Sequence, residues 1–254
     1  MNIEIEKTLA ELFSLAGRVG IVTGASGGIG AGIAEVLVKV GAKVYDFSRS
    51  GQGKFNHPNL THLAVDITDR KKVEQLIQEI GEAEGLDFLV NNAGITKRQR
   101  AEEIEQEFWA KINQVNLTAV FHLSQAAYPY LKKSQYIGRI VNISSMAAQL
   151  GFAEVVPYCA TKAGVAGLTR GLSVEWVADN ILVNSVAPGW IPSQMSIQVM
   201  DEDRKAKILD RMSMHKFGEA RDIGTMVLYL ISNAGKYITG QEIAVDGGAL
   251  SYGY

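Results

Sequence analysis

The segment Thr23-Gly24-Ala25-Ser26-Gly27-Gly28-Ile29-Gly30 constrains the fold more than any other part of the chain. It stands between an apolar run, residues 18–23, and an amphipathic stretch, residues 29–40, in which Ile29, Ile33, Val36, Leu37 and Val40 recur at helical spacing. A strand that feeds a glycine-rich turn and then a helix points the helix's unpaired N–H groups and positive dipole end at the turn, which makes an anion site. Gly24, Gly28 and Gly30 stand where the chain must turn sharply, approach a phosphate and pack helix against strand. Seven of the 26 glycines fall between Gly17 and Gly32, and the 254 residues hold only five prolines, so the glycine excess is local and no linker composition.

The same unit repeats along the chain. Strand runs are expected at residues 18–23, 43–47, 60–65, 86–90, 139–143, 181–186 and 242–245, rich in Val and Ile and bounded by Gly, Asn, Asp or Pro. Helices are expected at 29–40, 69–84, 101–133, 158–178 and 219–232, with Asp69 as an N-cap and Gly41 and Gly85 just past helix ends. This alternation predicts an α/β fold: a single-domain, doubly wound, seven-stranded parallel sheet with helices on both faces. Residues 17–254 form that dinucleotide-binding domain, 1–16 a short N-terminal extension, and 190–217, which break the alternation, a substrate lid.

Composition narrows the class. Twenty-five basic against 27 acidic residues leave a net charge of −2, no case for nucleic-acid or membrane-surface binding. The single cysteine, Cys159, cannot form an internal disulfide and suits a reducing compartment. Residues 1–10 lack a signal peptide's basic start and apolar run, so a soluble, cytoplasmic protein is expected. His57, His62, His122 and His215 show no metal-ligand spacing, and no metal is expected.

Residues after the second strand choose between the two nicotinamide cofactors: a carboxylate bonds a free ribose 2′-OH, a basic residue accommodates a 2′-phosphate. Asp46 lies inside the strand, whereas Arg49, with the Ser48 hydroxyl, fits a phosphate. NADP is favoured and NAD possible.

Taken in order, further motifs add up to a family. From about Phe13 to Gly248 the chain resembles the short-chain dehydrogenase/reductases, through the glycine loop, Asp66, Asn91-Asn-Ala-Gly94, Asn116, Ile140-Val-Asn-Ile-Ser-Ser145, Tyr158-Cys-Ala-Thr-Lys162, Pro188-Gly189 and Val245-Asp-Gly-Gly248. The resemblance implies a catalytic set of Asn116, Ser145, Tyr158 and Lys162, with Ser144 a competitor of poorer spacing. Tyr158 and Lys162, four apart at a helix start, share one face, and an adjacent ammonium favours phenolate. Tyr158 would exchange the substrate's hydroxyl proton while Ser145 holds the carbonyl; Asn116 would support a water relay to Lys162. The resemblance further implies that Thr23, Ser26 and Ile29 join the loop glycines in holding the cofactor. Asp66 and Ile67 would meet the adenine, Asn92, Ala93 and Gly94 the ribose, and Lys162 the nicotinamide ribose. Pro188, Gly189 and Ile191 would hold the carboxamide, with Ser193 where the family often has threonine. It also implies a homotetramer.

Lys97 and Arg98 follow Gly94 where ligands bind in this fold, and would pair with a substrate carboxylate or else balance the glutamates after them. That loop, with residues 207–211 and 216–218, looks like the sugar-acid branch of the family, which includes 2-deoxygluconate and gluconate 5-dehydrogenases. The expected reaction is therefore reversible oxidation of a sugar-acid hydroxyl. The alternatives are reduction of 3-oxoacyl thioesters, or a non-catalytic dinucleotide sensor.

Overall fold

The computed structural model of the protein describes residues 3–192 and 202–252. A helix, α1 (Ile3–Phe13), precedes β1 (Val19–Thr23), α2 (Gly28–Lys39), β2 (Lys43–Ser48), β3 (Leu60–Ala64), α3 (Arg70–Ala83) and β4 (Phe88–Asn91). There follow α4 (Gln106–Asn113), α5 (Ala119–Leu131), β5 (Gly138–Ile143), α6 (Val156–Trp176), β6 (Ile181–Pro188), α7 (Glu202–Asp210), α8 (Ala220–Ile231) and β7 (Glu242–Val245). The strands form one seven-stranded sheet in the order β3-β2-β1-β4-β5-β6-β7, and every neighbouring pair is parallel.

Alternate residues of each central strand enter opposite cores, as the period-2 pleat requires. Ile21, Leu89 and Ile140 pack with Ile77 of α3, Leu123 of α5 and Leu172 and Trp176 of α6. Val22, Val90 and Val141 pack with Ile33 and Leu37 of α2 and Val227 and Ile231 of α8. This double cover is why the strands read as continuous apolar runs. Asp69 caps α3 by accepting from the Lys72 N–H at 3.1 Å, and Gly41 (φ 100°) and Gly85 (φ 79°) take the left-handed conformation past helix ends.

One expectation changes. The single helix expected over 101–133 is broken: a 3₁₀ turn at Ala101–Glu103 ends in extended backbone at Ile104 and Glu105, and a π segment, Gln114–Thr118, separates α4 from α5. Within the N-terminal extension, Ile3–Phe13 form a helix with no buried residue, and Leu15 after it is fully buried. The expected lid, 190–217, contains α7; its residues 193–201, Ser193 among them, lie outside the described residues.

Candidate active site

Strand order reverses between β1, whose next neighbour in the chain lies on one side, and β4, which lies on the other. The crevice past the carboxyl ends at such a switch point is where open α/β sheets bind ligands. A cleft of about 1350 Å³ opens there. Its floor is the glycine loop, with Gly24, Ser26, Gly28, Ile29 and Gly30 on the wall. Gly24 has φ 72°, and a Cβ on Gly30 would lie 2.3 Å from the Gly24 carbonyl, so neither position tolerates a side chain. Gly27 begins α2 without a side-chain cap, which leaves the first-turn N–H groups for an anion. Thr23 lies behind the wall: its hydroxyl accepts from Asn92 and Ala93 N–H, both at 2.9 Å, tying β1 to the loop after β4. The Asn92 side chain returns a bond to the Thr23 carbonyl at 2.8 Å, and Asn92, Ala93 and Gly94 line the cleft.

Beyond the loop the wall passes to Arg49, Asp66 and Ile67. Asp66 accepts from the Thr68 N–H and hydroxyl, which hold its carboxyl below the usual range, and the Arg49 and Lys111 charges add to this. Ser48 also borders the cleft, but it is 6% exposed and its hydroxyl donates to Asp46 at 2.8 Å, which turns it away from a phosphate partner. Asp46 itself is fully buried and accepts from the Ala25 N–H at 2.7 Å, so it serves the glycine loop.

Ser145, Tyr158 and Lys162 meet on the opposite wall. The Ser145 hydroxyl accepts from the Ala147 N–H at 3.1 Å and lies near enough to the Tyr158 phenol to favour its ionised form. Ser144, by contrast, is buried with its hydroxyl unpartnered. The Lys162 ammonium donates to the Ile143 carbonyl at 2.7 Å and lies 5.5 Å from the centre of the Tyr158 ring. Burial pushes the lysine down to about 8. The expected lowering of the tyrosine is not found: burial pushes the Tyr158 phenol up, and only the nearby Ser145 hydroxyl pulls it back. The reason is geometric, since the ammonium addresses a carbonyl and not the phenol oxygen.

Asn116 sits behind them, 1% exposed, in the π segment. Its side chain accepts from the Ile95 N–H at 2.8 Å and donates to the Ile95 carbonyl at 2.9 Å, pinning the loop that carries Gly94. The wider π turn carries this asparagine at the junction of α4 and α5, in keeping with the frequent occurrence of such bulges at functional sites.

At the far end Pro188, Gly189 and Ile191 line the cleft, with Gly189 so close to Asp246 that a Cβ would lie 2.5 Å from its Cα. Lys97 and Arg98 lie on the rim: Lys97 stands 5.6 Å over the Phe108 ring, and Arg98 forms an ion pair with Glu154.

Residues 24–249 match the family described as Enoyl-(Acyl carrier protein) reductase. A 3-oxoacyl-(acyl-carrier-protein) reductase of Haemophilus influenzae is 38% identical over 92% of this chain and 98% of its own. A 2-dehydro-3-deoxy-D-gluconate 5-dehydrogenase of Bacillus subtilis is 35% identical over 96% and 98%. The chain belongs to the short-chain dehydrogenase/reductases. Among solved structures, a Beutenbergia cavernae member of this oxidoreductase family, named as an NAD(P)-dependent gluconate 5-dehydrogenase and containing NADP at low occupancy, matches with a TM-score of 0.87. It is 34% identical, over 94% of this chain and 99% of its own.

As a short-chain dehydrogenase/reductase site, the cleft includes residues that sequence reasoning missed. Lys54 lines the cleft with Arg49; Phe152, Glu154 and Trp190 line it too, and the Phe152 and Trp190 rings meet edge to face at 6.3 Å. Lys54 and Glu154 are ordinary loop charges in the sequence, without a motif to mark them.

Proposed function

We infer that this short-chain dehydrogenase/reductase interconverts a secondary alcohol and a ketone on a sugar acid of the gluconate or deoxygluconate type, with NADP preferred over NAD. The observation that carries the substrate class is the cationic rim: Lys97 and Arg98 border the same cleft as Ser145 and Tyr158. A substrate carboxylate entering there would replace Glu154 at the Arg98 guanidinium, which is shaped for a two-point grip on such a group. The cofactor preference rests on Arg49 and Lys54 beside the cleft and on the absence of a free carboxylate at the end of β2, Asp46 being fully buried. The residues fit a dinucleotide: the side-chain-free cradle of Gly24 and Gly30 and the uncapped N-terminus of α2 suit a pyrophosphate.

When bound, the nicotinamide supplies or accepts the hydride. The protein's share is positioning and proton transfer. Ser145 holds the substrate oxygen and Tyr158 gives or takes its proton. The phenol's raised pKa keeps it protonated at neutral pH, which suits it to donate in the reducing direction. Lys162, pushed down to about 8, sits near its own titration point and is matched to relaying a proton behind the tyrosine. Asn116 keeps the adjoining loop in place.

Reduction of 3-oxoacyl thioesters is the second reading, and the 38% identity to the Haemophilus influenzae reductase favours it. A cofactor-coupled absorbance assay with gluconate-type acids, polyols and 3-oxoacyl esters, each with both cofactors, separates the two. Turnover of the acids with NADP is expected, and Tyr158→Phe should lower it about a hundredfold or more while cofactor binding persists. Turnover confined to 3-oxoacyl esters would replace the sugar-acid reading. Full turnover in Tyr158→Phe would remove the tyrosine's role in either.

A further inference from the structure

The register of the sheet's edge places two polar side chains together outside the catalytic set. In the parallel pairing of β2 and β3, Asp46 and His62 are direct neighbours. His62 Nδ1 lies 2.7 Å from the Asp46 carboxylate, and the pair is 10% and 0% exposed. The other ring nitrogen, Nε2, lies 3.2 Å from the Phe55 carbonyl. One imidazole thus sits between a buried carboxylate and residues 49–59, the connection between β2 and β3, and donates to both acceptors when each ring nitrogen carries a proton.

That connection is fitted to the ring. A Cβ on Gly53 would lie 2.3 Å from His62 Cε1, so the backbone crosses the imidazole where only glycine allows it. Gly51, at φ 61°, also passes close to β3, its Cβ position 2.8 Å from that of Ala64. Between and beside these contacts stand Arg49 and Lys54, both on the cleft wall and, among the described residues, neither in an ion pair. The same Asp46 carboxylate takes the Ala25 N–H of the glycine loop at 2.7 Å and the Ser48 hydroxyl at 2.8 Å. A buried carboxylate is costly unless fully bonded, and a chain of such bonds holds its members in one arrangement.

We propose that His62 is a positioning residue for cofactor selection: by bridging Asp46 and Phe55 it holds residues 49–55 so that Arg49 and Lys54 meet the 2′-phosphate of NADP. This rests on the NADP reading above. His62 does not touch the dinucleotide; it acts through the backbone that carries the two cations. The consequence is selective. Loss of the bridge releases the phosphate contacts, whereas the pyrophosphate cradle at Gly24–Gly30 keeps the bonds from the Asn92 amide to the Gly24 carbonyl and from the Ala25 N–H to Asp46, neither of which involves His62.

The test is the ratio of NADPH to NADH dissociation constants, read by cofactor fluorescence in folded protein. His62→Ala should weaken NADPH about tenfold and NADH by less than about twofold, the loss expected for one or two charge-assisted bonds. Gly53→Ala, which drives the ring aside from the loop, should reproduce that loss and covers the case in which His62→Ala does not fold. His62→Gln, with two amide donors, should recover most of the ratio, and in a Lys54→Ala background His62→Ala should alter the ratio little further. An unchanged ratio in folded His62→Ala and Gly53→Ala, or equal weakening of both cofactors, overturns the assignment. A wild-type protein that binds the two cofactors equally overturns the NADP reading itself, and the assignment with it.

Discussion

At the scale of single residues, Lys162 carries the clearest physical signature. It is 5% exposed, makes one bond to a carbonyl, and burial lowers it from 10.5 to about 8. The unfolded chain therefore holds more protons than the fold between about pH 8 and 10.5, and stability contributed at this site rises with pH through that window. Below it the buried charge costs the fold about 3 kcal/mol relative to a neutral side chain of the same shape. Lys162→Met is accordingly expected to be more stable than wild type at pH 7, with the advantage shrinking as pH climbs past 8. Denaturant melts of both proteins at several pH values check this, because groups remote from position 162 titrate alike in both and cancel. A pH-independent difference would show that the lysine is solvated in the fold. Sequence spacing revealed the Tyr158–Lys162 pair but not this balance, because spacing reports that two groups share a face and not where each polar end points. Arg98 makes the same point: its partner Glu154 lies 56 positions away, joined only by folding.

At the scale of elements, periodicity reached α2, α3, α6 and α8 within a residue or two, failed at 101–133 and did not register α1 or α7. An apolar pattern at helical spacing does not register extended backbone at Ile104–Glu105 or a π turn at Gln114–Thr118, since each shifts the pattern by only a residue or so. The packing of α2 on α8 is illegible for a different reason. It depends on Gly32 and Gly224, which read in the sequence as helix-weakening residues. In the fold a Cβ on Gly224 would lie 2.8 Å from the Gly32 carbonyl and 2.9 Å from Val36 Cγ2, so the two helix backbones touch through the gap. Gly224→Val should therefore cost about 1–3 kcal/mol by overpacking, lowering the urea midpoint without changing the slope. Because α2 presents its N-terminus to the cleft, a displaced α2 should also weaken NADPH binding. A midpoint equal to wild type would mean that the helices can move apart freely.

At the scale of the whole molecule, the seven strands and their double cover follow from composition and alternation, since a strand buried on both faces leaves a continuous apolar run. The site's location follows too, because β1 and β4 flank the reversal of strand order and both loops that leave them are glycine-bearing motifs. What alternation does not predict is an element that belongs to neither face. Helix α1 buries none of its residues, and Ile3, Ile5 and Leu9 are exposed. It is joined to the domain by the Asn233 side-chain amide donating to the Glu11 carbonyl at 2.8 Å and by Phe13, whose ring centre lies 6.4 Å from that of Tyr229. The core begins after it, at fully buried Leu15, whose N–H donates to the Val40 carbonyl at 2.9 Å. Among the described residues, deletion of 1–12 removes the Asn233 bond and the Ser14 N–H bond to the Ala10 carbonyl but no buried apolar side chain, so it should lower unfolding free energy by no more than about 1.5 kcal/mol. Cofactor affinity should be unchanged, since the helix packs near Asn233 and Tyr229 and none of its residues borders the cleft. Urea denaturation and NADPH titration of the truncated and full chains measure both quantities. A loss of several kcal/mol would show that α1 is covered in solution by a surface other than the one it meets in the fold.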